Sequence, residues 1–214
     1  MSIGIIGAGN LGSNFARALA RKNIPALISS RRGPDALRQL ASQIGSSIRP
    51  ASVVDAAQAD IVLVALRWVD LESVLRPLPA WSGRIIIDGT NPVAFLDPNS
   101  PDAHDPENPL AALGIKAINL NGQVSSDVLA RLVPGARVVK AFNHVQVELL
   151  PLPKTADGHR VLFYSGNDAD AKAQVASLIA QLDFAGVDLG SLDIGGRLTQ
   201  VPGGALAMLN LIMI

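Results

Sequence analysis

The sequence predicts an α/β fold: a doubly wound, largely parallel sheet with a small C-terminal α/β extension. Three observations lead there. A glycine-rich turn, Gly7-Ala8-Gly9-Asn10-Leu11-Gly12, separates a short apolar strand from an amphipathic helical pattern near the start of the chain. Continuous apolar runs such as Ile61-Val62-Leu63-Val64 and Ile85-Ile86-Ile87 suit strands buried on both faces. Strand and helix patterns alternate at short intervals, as crossover units require.

The elements follow in order. Ile3 to Ile6 reads as the first strand, and Leu11, Phe15 and Leu19 mark one face of the helix behind the turn. Ala26-Leu27-Ile28 is the second strand and runs into Ser29-Ser30-Arg31-Arg32. Pro34 to Ile44 reads as a helix, Ser47 to Arg49 as a short strand, and Ser52 to Gln58 as a brief helix capped by a hydroxyl. Asp60 to Leu66 is a buried strand, Val69 to Arg76 a helix, and Arg84 to Asp88 the next strand. From Asn91 to Pro109, prolines interrupt a series of Asp, Asn and Ser residues, which predicts a long loop with His104 solvated inside it. The loop leaves a strand's C-terminal end, the side on which open α/β sheets bind ligands, so a lid is one reading of it. Regular structure resumes with a helix at Ser125 to Leu132 and strands at Arg137 to Phe142 and His159 to Tyr164. Asp168 to Leu182 carries Val175, Leu178, Ile179 and Leu182 on one helical stripe, and Phe184 to Leu189 reads as the last strand.

The turn itself fits G-x-G-x-x-G, and its chemistry is steric and electrostatic. Gly7 permits the tight turn, Gly9 lets backbone approach a pyrophosphate, and Gly12 lets the helix pack close to the strand. Asn10 and Leu11 open that helix, whose free N–H groups face the phosphates. Its place between strand and helix makes a dinucleotide the expected ligand and the sheet Rossmann-type. On this reading residues 1–150 form the dinucleotide-binding domain, and 151–214 a smaller extension that closes the acceptor crevice.

The end of the second strand selects the cofactor. NAD sites place Asp or Glu there to accept from the ribose 2′-OH. This chain has Ser30 there, followed by Arg31 and Arg32, with no acid before Asp35. A hydroxyl and two guanidiniums suit a 2′-phosphate, which a carboxylate would repel. NADP(H) is therefore expected; the plainer alternative is a solvated basic turn.

Composition bounds the remaining classes. With 214 residues the chain can bury one sizeable core. Formal net charge is zero, which favours neither nucleic acid nor an anionic membrane as partner. There is no cysteine, so disulfides, thiolate chemistry and cysteine-ligated metals are excluded, and no metal site is expected. The first strand begins near residue 2 and no apolar run approaches the length of a membrane span, so a cytoplasmic protein is expected.

Several segments together resemble a known family. They are Gly9-Asn10-Leu11-Gly12 with Ser30-Arg31-Arg32, then Leu66-Arg67-Trp68, Val139-Lys140-Ala141-Phe142-Asn143, Ser165-Gly166-Asn167-Asp168 and Val187-Asp188-Leu189-Gly190-Ser191-Leu192. The pattern resembles the NADPH-dependent deazaflavin oxidoreductases, which exchange hydride between NADP and coenzyme F(420). It is also similar to the cytosolic NADPH-binding domain of the six-transmembrane metalloreductases. The likeness spans nearly the whole chain and is weakest from Val93 to Leu120.

The resemblance implies roles. The turn from Gly7 to Gly12 would hold the pyrophosphate, and Ser30, Arg31 and Arg32 the 2′-phosphate. Leu66, Arg67 and Trp68 would lie over the nicotinamide ribose, with Arg67 standing where many members have proline. Asn91 and Pro92 would line the same crevice. Ala141 and Asn143 would border the nicotinamide, with His144 beside them as the one titratable group able to donate to a reduced acceptor; a histidine merely capping the next helix is the alternative. Hydride passes directly between rings, so the protein chiefly orients the partners and excludes water. The implied function is NADP(H)-dependent hydride transfer with coenzyme F(420) as small-molecule acceptor. The alternatives are a reductase of a flavin, ferric chelate or other small molecule, and a non-catalytic NADP-sensing module.

The chain ends on bare apolar residues, Gly203 to Ile214. This stretch is expected to be a helix that packs into the acceptor pocket wall or across a homodimer interface.

Overall fold

Strand and helix alternate as the sequence predicts. The computed structural model describes residues 1–214. β1 (Ile3–Ile6) passes through the glycine turn into α1 (Asn10–Arg21), followed by β2 (Ala26–Ser29), α2 (Arg38–Ile44), β3 (Ile48–Ala51), α3 (Val53–Ala57) and β4 (Ile61–Val64). Next come α4 (Leu71–Leu75), β5 (Ile85–Asp88), β6 (Val93–Phe95), β7 (Ile115–Ala117), α5 (Ser125–Leu132) and β8 (Arg137–Ala141). The remainder contributes β9 (His159–Gly166), α6 (Ala169–Gln181), β10 (Ala185–Asp188), α7 (Leu192–Thr199) and β11 (Ile212–Met213).

The main sheet runs β10-β9-β8-β5-β4-β1-β2-β3. From β3 to β8 every neighbouring pair is parallel. β9 then runs antiparallel to β8, and β10 parallel to β9. Residues beyond 150 thus extend the same sheet. This is the Rossmann-type arrangement expected, with its change of direction between β1 and β4, the topological switch point.

The apolar runs explain why these strands lie centrally. Every residue of β1, β4 and β5 is buried, which only a sheet covered on both faces allows. One face carries α1, α2 and α6, and there Phe15 meets Phe142 edge-on at 5.0 Å between ring centres. The other carries α3, α4, α5 and α7, packed through residues such as Val74, Leu129 and Leu192. Each such side chain contributes about 1.5–3 kcal/mol on burial. Local signals agree with the packing. The Ser52 hydroxyl accepts from the Asp55 N–H at 3.0 Å and starts α3, and Asp168 starts α6 in the same way.

Two expectations are corrected. The stretch read as a loop from Asn91 to Pro109 opens with β6, which pairs antiparallel with β7 some 20 residues on. The intervening chain is folded by turns such as Asp97, whose carboxylate accepts from the Asn99 N–H. The second correction is at the C-terminus, where Gly203 to Ile214 contains no helix. Pro202 and Gly203, the latter at φ +96°, break the pattern, and the end of the chain instead pairs as β11 with the start of β9. No helix is long and apolar enough to cross a membrane.

Candidate active site

The turns after β1, β4, β5 and β8 open together at the switch point into a crevice of about 510 Å³. Its nucleotide half is built on the glycine turn. Gly7 sits at φ +112°, and a side chain there would strike the Ala65 carbonyl. A Cβ on Gly12 would lie 1.8 Å from the Gly7 carbonyl oxygen, so only glycine lets α1 approach this closely. Gly9 has open space where a Cβ would be, and it precedes α1 with no side-chain cap on the helix. Uncapped N–H groups facing an open crevice fit a pyrophosphate.

The end of β2 carries the second feature. Ser30 accepts from the Arg32 N–H at 3.3 Å, so the hydroxyl and both guanidiniums share one tight, exposed turn. Arg31 reaches across to Asp70, at 3.1 Å, and Arg67 reaches the other oxygen of the same carboxylate, at 2.7 Å. Asp70 thereby ties the turn after β2 to the turn after β4. That hydrogen bond and charge hold the Arg67 guanidinium above its ordinary value.

A buried polar network supports the crevice floor. The Lys140 ammonium, wholly buried, donates to Asp88 at 3.0 Å, to the Thr90 carbonyl at 2.5 Å and to Ser125 Oγ at 3.2 Å. Asp88 also accepts from the Thr90 N–H and hydroxyl and from Ser126. Burial pulls the Lys140 ammonium below its ordinary value, and the adjacent Asp88 carboxylate opposes that shift. Above this network, Asn143 donates to Asn91 Oδ1 and to the Thr199 carbonyl, while Asn91 donates to the Asn143 carbonyl. These bonds fix the Asn143 amide and leave its buried Oδ1 without a partner.

Of the residues expected from sequence, Gly9, Asn10, Leu11, Leu66, Arg67, Trp68, Asn91 and Asn143 line the crevice. Gly7 and Gly12 frame the turn beneath it, and Ser30, Arg31 and Arg32 stand at the β2 end beside it. Pro92 is buried, and Ala141 lies in the core beneath, so neither borders the crevice.

His144 is corrected. Its side chain is 1% exposed and turns away from the crevice, with Nε2 accepting from the Phe163 N–H at 3.2 Å and the ring beside that of Phe163. Burial pushes the imidazole down to about 4, with the Lys140 charge adding to the shift. It is a neutral structural histidine, with no path for proton delivery to a ligand in the crevice. Because the folded value lies below the unfolded one of about 6.5, the unfolded chain takes up this proton first. His144 therefore supports the fold fully above pH 6.5. As pH falls to about 4 that support is lost, by about 3 kcal/mol. Urea unfolding at pH 7 and pH 4.5 is expected to show this loss, and His144→Gln, which keeps an acceptor for the Phe163 N–H, to reduce it.

Sequence reasoning missed other lining residues. Gly89 and Thr90 follow β5 and were findable from the rule that ligands sit at strand C-termini. Val93, Phe95, Leu113 and Ile115 come from the hairpin excursion, and Met208 from the tail, where no periodicity marks them. Asp70 joins the arginines only through the fold.

Comparison with known proteins agrees with this geometry. The model of a family described as NADP oxidoreductase, coenzyme F(420)-dependent, matches residues 2–92. A hypothetical protein, SMa0349 of Sinorhizobium meliloti, is 37% identical, covers 100% of this chain and 97% of its own, and superposes with a TM-score of 0.87. A putative F(420)-dependent NADP-reductase from Arthrobacter sp. FB24 is 26% identical, covering 90% of this chain and 86% of its own, with a TM-score of 0.67. Human metalloreductase STEAP2 is 25% identical over 94% of this chain, which spans only 36% of that relative's length. Taken together, these likenesses make the chain an NADP-dependent oxidoreductase whose residues 2–92 are similar to the F(420)-dependent NADP oxidoreductases.

Proposed function

We propose that the protein transfers hydride between NADPH and the ring of a deazaflavin of the coenzyme F(420) type. The observation that carries this reading is the crevice itself, which runs from Gly9, Asn10 and Leu11 of the glycine turn to apolar residues such as Val93, Phe95 and Ile115. When bound, NADPH supplies a hydride from its nicotinamide ring. The chain's residues do the rest. The turn from Gly7 to Gly12 anchors the pyrophosphate, and Ser30, Arg31 and Arg32 hold the 2′-phosphate. The Asn143 Oδ1 acceptor fits a carboxamide N–H.

Oxidation of NADPH by the purified protein, with F(420) and FMN in parallel, tests the proposal. Turnover with F(420) is expected; turnover with neither acceptor overturns it. A flavin or metal chelate is the second reading, supported by the likeness to a metalloreductase over 94% of the chain.

Cofactor choice has its own test. Arg31→Ala is expected to weaken NADPH binding about 10- to 100-fold, the loss of hydrogen bonds to a charged group, and to leave NADH binding nearly unchanged. Isothermal titration with both nucleotides reads this directly, and equal losses would refute the 2′-phosphate assignment.

A further inference from the structure

Resting on the NADP(H) reading above, we infer that Arg67 belongs to the 2′-phosphate site, with Asp70 as the residue that positions it beside Arg31. This moves Arg67 from the nicotinamide ribose, where the resemblance put it, to the adenosine end of the nucleotide. A shared carboxylate places it there. Arg31 Nη1 meets Asp70 Oδ1 at 3.1 Å, and Arg67 Nε donates to Oδ2 at 2.7 Å. One arginine follows β2 and the other follows β4, the two strands that flank β1 and its glycine turn. A nucleotide with its pyrophosphate on that turn carries its adenosine ribose at the β2 end. Bound to one carboxylate, the two guanidiniums stand side by side.

The carboxylate is built in and the cations are turned out. The Asp70 side chain is 15% exposed, whereas those of Arg31 and Arg67 are 57% and 55% exposed. The Asp70 backbone is held as well. Its N–H donates to the Arg67 carbonyl at 3.0 Å, and its own carbonyl accepts from the Ser73 hydroxyl at 3.0 Å. Each guanidinium gives one nitrogen to Asp70 and keeps further N–H donors for an incoming anion. Such planar donor forks bind phosphate oxygens in pairs.

The charges fit one class of ligand. The next carboxylates along the two segments, Asp35 and Glu72, already pair with Arg38 at 2.6 Å and Arg76 at 2.9 Å. Arg32 is exposed in the same tight turn as Arg31. Arg31, Arg32 and Arg67 around the single Asp70 carboxylate leave a surplus of positive charge, the complement of a phosphate monoester dianion. Like charges this close repel each other, and Asp70 offsets only one of the two it touches. An incoming dianion relieves the remainder. A 2′-hydroxyl carries no charge and gains nothing here, so the arrangement separates NADPH from NADH.

Isothermal titration with adenosine 2′,5′-bisphosphate, NADPH and NADH tests this without any hydride acceptor. Arg67→Gln is expected to weaken the bisphosphate and NADPH about tenfold, the loss of a hydrogen bond between charged groups, and to leave NADH within about twofold. Arg67→Lys keeps the charge without the planar fork and is expected to recover part of the loss. Asp70→Asn removes a negative charge, which by itself would tighten phosphate binding. Because it also releases both guanidiniums, the bisphosphate is expected to bind about fivefold more weakly to this variant. A loss shared equally by NADPH and NADH, or a bisphosphate affinity unmoved by Arg67→Gln, overturns the inference. Tighter bisphosphate binding by Asp70→Asn overturns the positioning role of that carboxylate. A wild-type protein that binds NADPH no more tightly than NADH overturns the NADP(H) reading itself.

Discussion

Gly12→Ala is expected to abolish NADPH binding and to destabilise the protein together. Its methyl group would stand 1.8 Å from the Gly7 carbonyl oxygen and 3.1 Å from Ile5 Cγ2, and both neighbours belong to the buried first strand and its turn. Nothing flexible lies in the way, so α1 itself must move. Overpacking of this kind costs about 3 kcal/mol or more, and α1 anchors the larger core through Phe15 and Leu19. Gly9→Ala is the informative partner. Nothing lies within 4 Å of its Cβ, and its φ of −79° suits any residue, so stability is expected to stay within about 0.5 kcal/mol of wild type. Its methyl nevertheless projects where the pyrophosphate must approach. Urea unfolding and NADPH titration on both variants separate the two roles: Gly12 fails in both assays, Gly9 in the second alone. A Gly9→Ala variant with full NADPH affinity would mean that the turn does not hold the phosphates.

Lys140→Met is expected to cost about 3–5 kcal/mol, the penalty of stranding one member of a buried ion pair. Methionine keeps most of the lysine's volume, so the loss reports the charge and its hydrogen bonds and not a cavity. Three acceptors lose their donor at once: Asp88, the Thr90 carbonyl and Ser125. The Asp88 carboxylate then remains buried with only neutral donors, Thr90 and Ser126. Adding Asp88→Asn to Lys140→Met is expected to restore part of the lost stability, because it removes the unpaired charge. The same substitution reaches the site. Lys140 holds the Thr90 carbonyl, and the next residue, Asn91, anchors Asn143, so nucleotide and acceptor affinities are expected to fall in the folded fraction of Lys140→Met. A double variant no more stable than the single would show that the pair's charge is not what matters.

The main-sheet elements were legible in the sequence because each is fixed by nearby residues. β1, β2, β4 and β5 announce themselves as apolar runs, α1 and α6 as periodic stripes, and the cap of α3 as a hydroxyl before Asp55, whereas α7 (Leu192–Thr199), with two glycines in its middle, carries no such stripe. The nucleotide half of the crevice was legible for the same reason, since its parts follow strand ends at set distances along the chain. The hairpin from β6 to β7 was not. Its strands are three residues each, separated by proline-rich turns, and only pairing across that gap makes them strands. The C-terminal stretch failed for a related reason. Its apolar residues suggest a buried helix, while Pro202 and Gly203 and the open edge of β9 favour a turn and a short paired strand.

By itself the sequence determined the fold class, the glycine turn between β1 and α1 and the Ser-Arg-Arg end of β2, because each depends on residue types held close together along the chain. Only the tertiary structure decided which way His144 faces, that Asp70 joins Arg31 to Arg67, and that the hairpin and tail supply the apolar walls of the acceptor half. Those features depend on contacts between segments far apart in sequence, or on which side of a strand end the backbone turns. Neither is encoded in local periodicity, and both are set by how the two faces of the sheet are filled.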